Sequence, residues 1–185
     1  MRGVSREHLV VTNLYLREIK QSEYTLLGEL MVDVYSSLDG FPTQIEQPDY
    51  YETLINIGSL NEDEDTTVLV AASSEKGLVG GVVYFSDMTR YGSGGTATQE
   101  RNASGIRLLC VDPRSRGMGV GKALTNTCIQ LAIDKGHNQV ILHTTQAMQV
   151  AWNLYLKMGF ERSPDLDFSQ EGFPVFGFRL RLTDG

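Results

Sequence analysis

Apolar and polar positions alternate along this chain in two rhythms. The runs Leu14–Ile19, Thr67–Ala72, Leu78–Phe85, Ile106–Val111, Val140–His143 and Val175–Leu182 are rich in β-branched and apolar residues, and each predicts a strand. A Ser/Glu/Lys/Gly turn between the second and third predicts a hairpin. Val140–His143 is apolar on both faces, as a buried strand is. The second rhythm is helical. Leu27, Leu30, Met31, Val34, Tyr35 and Leu38 form one stripe, with Ser22 as the expected cap and Gly40, Phe41 and Pro42 as the stop. Pro48 suits the first turn of a short helix running to Ile57. Val120, Ala123, Leu124, Thr127, Cys128, Leu131 and Ala132 share one face of a helix expected over Gly117–Lys135, ended by Gly136. Ala147, Val150, Ala151, Leu154, Tyr155 and Met158 mark another, stopped by Gly159. Asp87–Ala103 is a long polar loop, and loops of that length in compact domains are functional or disordered.

The order is βα(α)ββ, then βαβαβ, which argues a mixed α/β sheet covered by helices. A chain of 185 residues fits a single domain, residues 1–185, with a real core. Its net charge of -7 argues against a nucleic-acid partner, whose phosphates need a basic footprint. An acidic surface suits a cationic small molecule slightly better than an anionic one, although most acidic proteins are simply soluble. The acidic run Asn61–Asp65 reads as a solvated turn. Cys110 and Cys128 sit inside apolar segments, and with His8, His137 and His143 scattered no zinc pattern forms. Buried free thiols imply a reducing compartment, so a cytoplasmic protein is expected. Met1–Val11 lacks the apolar run of a signal peptide, and no run is long enough to cross a bilayer.

The most informative stretch follows the strand Ile106–Val111. Asp112 and Pro113 lead into Arg114, Ser115, Arg116, Gly117, Met118, Gly119, Val120, Gly121 and Lys122, and a helix starts at once. Glycines let backbone N–H groups turn toward a ligand, and a helix N-terminus leaves several N–H donors open. Together they make an anion site without a dedicated side chain. A tight strand-to-helix turn would need fewer glycines. A nucleoside triphosphate loop fails here, because its first glycine would be Arg116 and its magnesium-binding hydroxyl Ala123. A phosphotransferase therefore survives only if ATP binds with magnesium. A dinucleotide fingerprint fails too, at Lys122 or at Leu124.

What remains is Arg-x-x-Gly-x-Gly, met by Arg116, Gly119 and Gly121. This resembles the acetyl-CoA loop of the Gcn5-related N-acetyltransferases, the GNAT family. Leu109-x-Val111-x-Pro113 resembles that family's approach strand. Ala151-x-x-Leu154-Tyr155-x-x-x-Gly159-Phe160 resembles its second signature segment. The resemblance implies a mostly antiparallel mixed sheet flanked by helices and splayed between the fourth and fifth strands. It implies acetyl-CoA as acyl donor, with no metal, and a primary amine as acceptor, most simply a small molecule such as a polyamine, an amino acid derivative or an amine drug. A peptide N-terminus or lysine stays open, and so does the oligomeric state, a homodimer included.

Roles follow residue by residue from the same resemblance. Backbone groups of Leu109, Cys110 and Val111 would bond the pantetheine arm as an added strand. The amides of Arg116, Gly117, Met118, Gly119, Val120, Gly121 and Lys122 would hold the pyrophosphate. Asn153 would reach the cofactor from the next helix, against the plain alternative of a solvated face. Tyr155 would protonate the departing thiolate, against the alternative of a core tyrosine on an apolar stripe. Val111 N–H would hold the oxyanion. The family often has an asparagine seven residues before the tyrosine, where this chain has Met148. Many relatives carry a glutamate on the fourth strand, and Ser104–Leu109 offers no carboxylate. Glu46, Asp39, Asp87 and His143 are the remaining candidates for a base, each with a plain structural reading beside it. Arg107 falls on the opposite face from Cys110 by strand alternation, which argues against Cys110 as a nucleophile. The missing glutamate also supports a second hypothesis, a non-catalytic acyl-CoA-binding sensor or interaction domain of the same fold.

Overall fold

A computed structural model describes residues 13–183. The leader reading over Met1–Val11 and the histidine His8 lie outside these described residues. The elements run β1 (Leu14–Glu18), α1 (Tyr24–Ser36), α2 (Pro48–Ile55), β2 (Thr66–Ser73), β3 (Gly77–Phe85), β4 (Ala103–Val111), α3 (Val120–Asp134), β5 (Gln139–Thr144), α4 (Gln149–Lys157), β6 (Glu161–Arg162), β7 (Phe168–Gln170) and β8 (Phe173–Arg181). They form a sheet in the order β1-β2-β3-β4-β5-β8-β6, with β7 on β8. Every pairing is antiparallel except β4–β5. The fold is the mixed, mostly antiparallel one expected.

Strand alternation sorts the core into two layers. Val68 and Val70 of β2 point to one face, with Leu27, Met31 and Tyr35 of α1 and Leu54 of α2. Leu69 and Ala71 point to the other, with Val120, Leu124 and Cys128 of α3 and Tyr155 of α4. Helices α1 and α2 cross closely at Gly28, where a Cβ would sit 2.0 Å from Ile55 O.

Several boundaries differ from the sequence expectation for local reasons. Ser22 makes no cap hydrogen bond. A 3-10 turn over Gln21–Glu23 comes first, and Glu23 accepts Lys20 N–H at 2.9 Å. The second helix stops at Ile55, and Ile57–Glu62 coils into a 3-10 turn. The third starts at Val120 rather than Gly117, because Gly117 and Gly119 hold φ of 81° and 76°, which no α-helix accepts. Strand β4 begins at Ala103, earlier than its apolar run, and buried Ser104 bonds Tyr84 there at 2.8 Å.

Two features of β4 position everything that follows. Its ladder with β5 runs from Ala103↔Gln139 to Ile106↔Leu142 and stops, while β4 continues to Val111 and β5 to Thr144. Just past that point Leu108 takes φ 60°, and the register with β3 shifts between Gly81↔Cys110 and Val83↔Arg107. One residue bulges out of the strand there and bends it. The bulge also corrects the alternation argument. Arg107 reaches Tyr91 O at 2.9 Å, and Cys110 packs in the same cluster as Tyr91, so Arg107 and Cys110 share the α1 side.

Candidate active site

The glycine loop is anchored from behind. Asp112, almost fully buried, donates its N–H to Val79 O at 2.8 Å and accepts Arg114 N–H at 2.9 Å. Its carboxylate also pairs with the Arg114 guanidinium at 2.8 Å, and that hydrogen bond holds the acid below its usual range. Arg114 is therefore spent on Asp112 and adds little free positive charge. Arg116 and Lys122 are exposed and have no acidic partner among the described residues.

Gly119 caps α3 without a side-chain bond, and its carbonyl accepts Ala123 N–H at 3.0 Å. Among the described residues, no acceptor meets the N–H groups of Gly117–Lys122. A Cβ at Gly117 or Gly119 would meet nothing within 4 Å. At Gly121 it would meet Leu154, Val111 and Leu109 at 3.3–3.7 Å, so the loop rests on β4 and α4 and opens outward. Open amides, positive φ and empty space above the backbone fit a diphosphate.

The gap between β4 and β5 adjoins this loop. Asp112 N–H points to β3, so strand alternation turns Cys110 to β3 and Leu109 and Val111 to the gap. Leu109 O accepts the Tyr35 hydroxyl at 3.0 Å. The Cys110 side chain is buried, and burial pushes its thiol up to about 12. A cavity of about 390 Å³ opens from the gap. Aromatic rings wall much of it. Tyr35, Phe41 and Tyr50 stack with centroids 5.4–6.2 Å apart on one side, and Phe168 lies 5.2 Å from His143 on the other.

Tyr155 lines the same cavity from α4. Its ring is 5% exposed and packs 5.7 Å from Phe160, yet its hydroxyl makes no hydrogen bond to any described residue. Burial raises its pKa, so the phenol keeps its proton. Asn153 is exposed on α4, and Met148 stands at the helix N-cap with no side-chain cap bond.

The candidate bases separate. His143 lines the cavity, but Nε2 must donate to Leu166 O at 2.8 Å, leaving Nδ1 to accept the Tyr91 hydroxyl at 2.8 Å. Burial lowers its pKa, so it stays neutral with both nitrogens engaged. Glu46 accepts Thr43 N–H at 2.7 Å, and Asp87 accepts Thr89 N–H at 2.9 Å in a different groove. Neither lines the cavity, nor does Asp39 or the acidic run Asn61–Asp65. Asp49, at the first turn of α2, is the one carboxylate among the described residues that does. Sequence reading passed over Asp49 and weighed Arg107 only as a partner for Cys110. The usable signal for Arg107 was a lone charge inside an otherwise apolar strand.

The sequence model of the Acetyltransferase (GNAT) family matches residues 31–160. N-acetyltransferase 8F1 of Rattus norvegicus is 44% identical over 55 residues, 30% of this chain and 25% of that protein. Human N-acetyltransferase 8B is 40% identical over 55 residues, 24% of its length. The match thus spans about a quarter of these curated relatives. Among solved structures, an acetyltransferase of the GNAT family from Staphylococcus aureus Mu50 aligns with a TM-score of 0.69 at 17% identity, covering 92% of this chain and 99% of that one. PaiA N-acetyltransferase from Thermoplasma acidophilum, in complex with coenzyme A, aligns at 0.67 and 14% identity over 89% and 97%. At such identities these structures show the shared fold.

Proposed function

The chain belongs to the GNAT acetyltransferase family, and from that membership we propose that it moves an acetyl group from acetyl-CoA directly to the primary amine of a small molecule. One observation carries the reading: the open amides of Gly117–Lys122 follow directly on the unpaired end of β4, and Leu109 of that end lines the same cavity as Tyr155.

Bound acetyl-CoA supplies a thioester, at which a C–N bond forms, the C–S bond breaks, the nitrogen sheds one proton and the sulfur gains one. The loop amides neutralise the diphosphate, with Arg116 and Lys122 beside them. Leu109 and Val111 offer their backbone groups to the pantetheine arm where β5 has left β4. Val111 N–H faces the position where carbonyl charge develops. Tyr155 holds its proton toward the sulfur. A phenol pushed upward by burial would be a poor acid toward a thiol in water, but the sulfur departs inside the same wall. Apolar surroundings disfavour the leaving thiolate as they disfavour the phenolate, so the proton passes between two groups in the same setting. The amine's proton leaves through water, with Asp49 the carboxylate lining the route. Cys110 and Cys128, both buried free thiols, suit a reducing compartment, and we place the protein in the cytoplasm.

The test pairs two measurements. Calorimetry with coenzyme A reads binding, and thiol release across a panel of amines reads transfer. Binding with amine-dependent thiol release is expected. Tight binding with no release from any amine would replace catalysis by a sensing role, and no binding would remove both.

A further inference from the structure

Four arginines among the described residues are half-buried: Arg17, Arg107, Arg162 and Arg179. Arg17, Arg162 and Arg179 each hold a carboxylate at 2.7 Å. Arg107 holds none. Its guanidinium donates from Nη1 to Tyr91 O at 2.9 Å and lies 5.8 Å from the Tyr91 ring. No other donor of the group meets an acceptor among the described residues. Withdrawing a cation from water without a counter-charge is costly, and a backbone carbonyl and an aromatic face offset that only in part.

The place of this unpaired charge gives it meaning. Arg107 lines the acceptor cavity, at the last turn of β4 before the bulge at Leu108. Alternation from Ile106 puts Arg107 on the α1 side opposite Val83, facing the aromatic wall rather than the α3 layer, and the bulge that follows brings Leu108 and Cys110 to the same side. The cavity therefore combines a fixed fork of N–H donors with aromatic surfaces.

Resting on the acetyl-transfer reading above, we propose that the acceptor carries a carboxylate bound by Arg107 and an aromatic or other flat apolar group held against Tyr35, Phe41 and Tyr50. A planar guanidinium with open donors matches a carboxylate in two parallel hydrogen bonds. Arg107 offers a polyamine no partner, its second cation facing this guanidinium with only Asp49 to oppose it, and a peptide N-terminus brings no carboxylate close to its amine. The substrate class is thus a free amino acid or a close analogue with an apolar side chain. This reverses the expectation, drawn from net charge alone, of a cationic acceptor. The acidic run Asn61–Asp65 lines no part of the cavity either.

The experiment compares phenylalanine with phenylalaninamide as acceptors, each assayed above the pKa of its amine, in the wild-type protein and in Arg107→Gln. In parallel, calorimetry on the coenzyme A-loaded protein compares N-acetylphenylalanine with its amide. The wild type should favour the acid by about 30-fold in kcat/KM and in affinity, the scale of one charge-assisted pair. Arg107→Gln should bring that ratio to within about threefold, while coenzyme A affinity reports that the variant is folded. A wild-type ratio near one overturns the proposal without any variant. So does an Arg107→Gln protein that loses acid and amide equally, since a strut for the Tyr91 loop would do that. If no amine is turned over, the transfer reading fails, and the calorimetric preference alone still decides the role of Arg107.

Discussion

At the scale of single residues, the decisive question is whether a side chain's chemistry is free or already engaged. Tyr155 is buried as a ring and unengaged as a hydroxyl. Tyr155→Phe removes only that hydroxyl, so turnover should fall about 100-fold with coenzyme A affinity nearly intact. Steady-state kinetics beside calorimetry checks this, and unchanged turnover would return Tyr155 to the core. His143 shows the opposite case. The sequence reading named it beside the plain alternative of a satisfied core histidine, and both ring nitrogens are in fact bonded. Such engagement depends on Tyr91 and Leu166, fifty-two and twenty-three positions away, and no local pattern announces it. The glycine loop was legible because its logic is local: three glycines, a preceding strand and a following helix lie within a few residues. Arg107 was not, because the bulge that brings Cys110 to its side and the cavity it lines exist only in the folded sheet. Nothing in Ile106-Arg107-Leu108-Leu109 signals a leucine at φ 60°.

Between elements, the same contrast appears as packing. Helix stripes and strand alternation predicted the main helices and strands, since each is long enough to show its period. β6 and β7, of two and three residues, are too short to show one. At Gly28 two elements meet so closely that a common rule changes sign. In an open helix Gly→Ala gains up to about 1 kcal/mol from propensity. Here the new Cβ would fall on Ile55 O, so Gly28→Ala should cost about 1–3 kcal/mol, read as a lowered denaturation midpoint. A second junction is ionic. Arg17 of β1 grips Glu23 ahead of α1 at 2.7 Å, and its hydrogen bond, followed by that of Lys20 N–H, lowers the Glu23 pKa to about 2. The folded pKa lies below the unfolded one, so this contribution is present above about pH 4.5 and disappears as pH falls toward 2. The pair is partly exposed, so Glu23→Gln should cost under about 1 kcal/mol at pH 7. Urea titrations at pH 7 and pH 2.5 should show the difference shrinking at the lower pH.

Across the whole molecule, the proposed reading assigns the two substrates to different stretches of chain. The donor side so assigned is compact in sequence, running from Leu109 to Lys122 with Tyr155 added. The acceptor side gathers Phe41 and Tyr50 from the helical pair, Arg107 from β4 and Phe168 from the edge hairpin. Those residues meet only because the sheet folds around the β4–β5 gap, which is why the acceptor cavity could not be read along the chain. The division predicts separable defects. Phe41→Ala removes one panel of the aromatic wall, 5.4 Å from Tyr35 and 5.6 Å from Tyr50, and touches no donor residue. It should raise the acceptor KM about tenfold, for loss of about 1.4 kcal/mol of ring contact, and leave the acetyl-CoA KM in place. Gly119→Ala forces an L-residue to φ 76° at the loop, a strain of about 1–2 kcal/mol. That strain disappears if the loop relaxes, and a relaxed loop no longer aims its amides. The acetyl-CoA KM should then rise about tenfold with the acceptor KM unmoved. Crossed kinetics on the two variants decide the matter: if each raises both constants together, gap and cavity act as one site and the division into donor and acceptor walls is wrong.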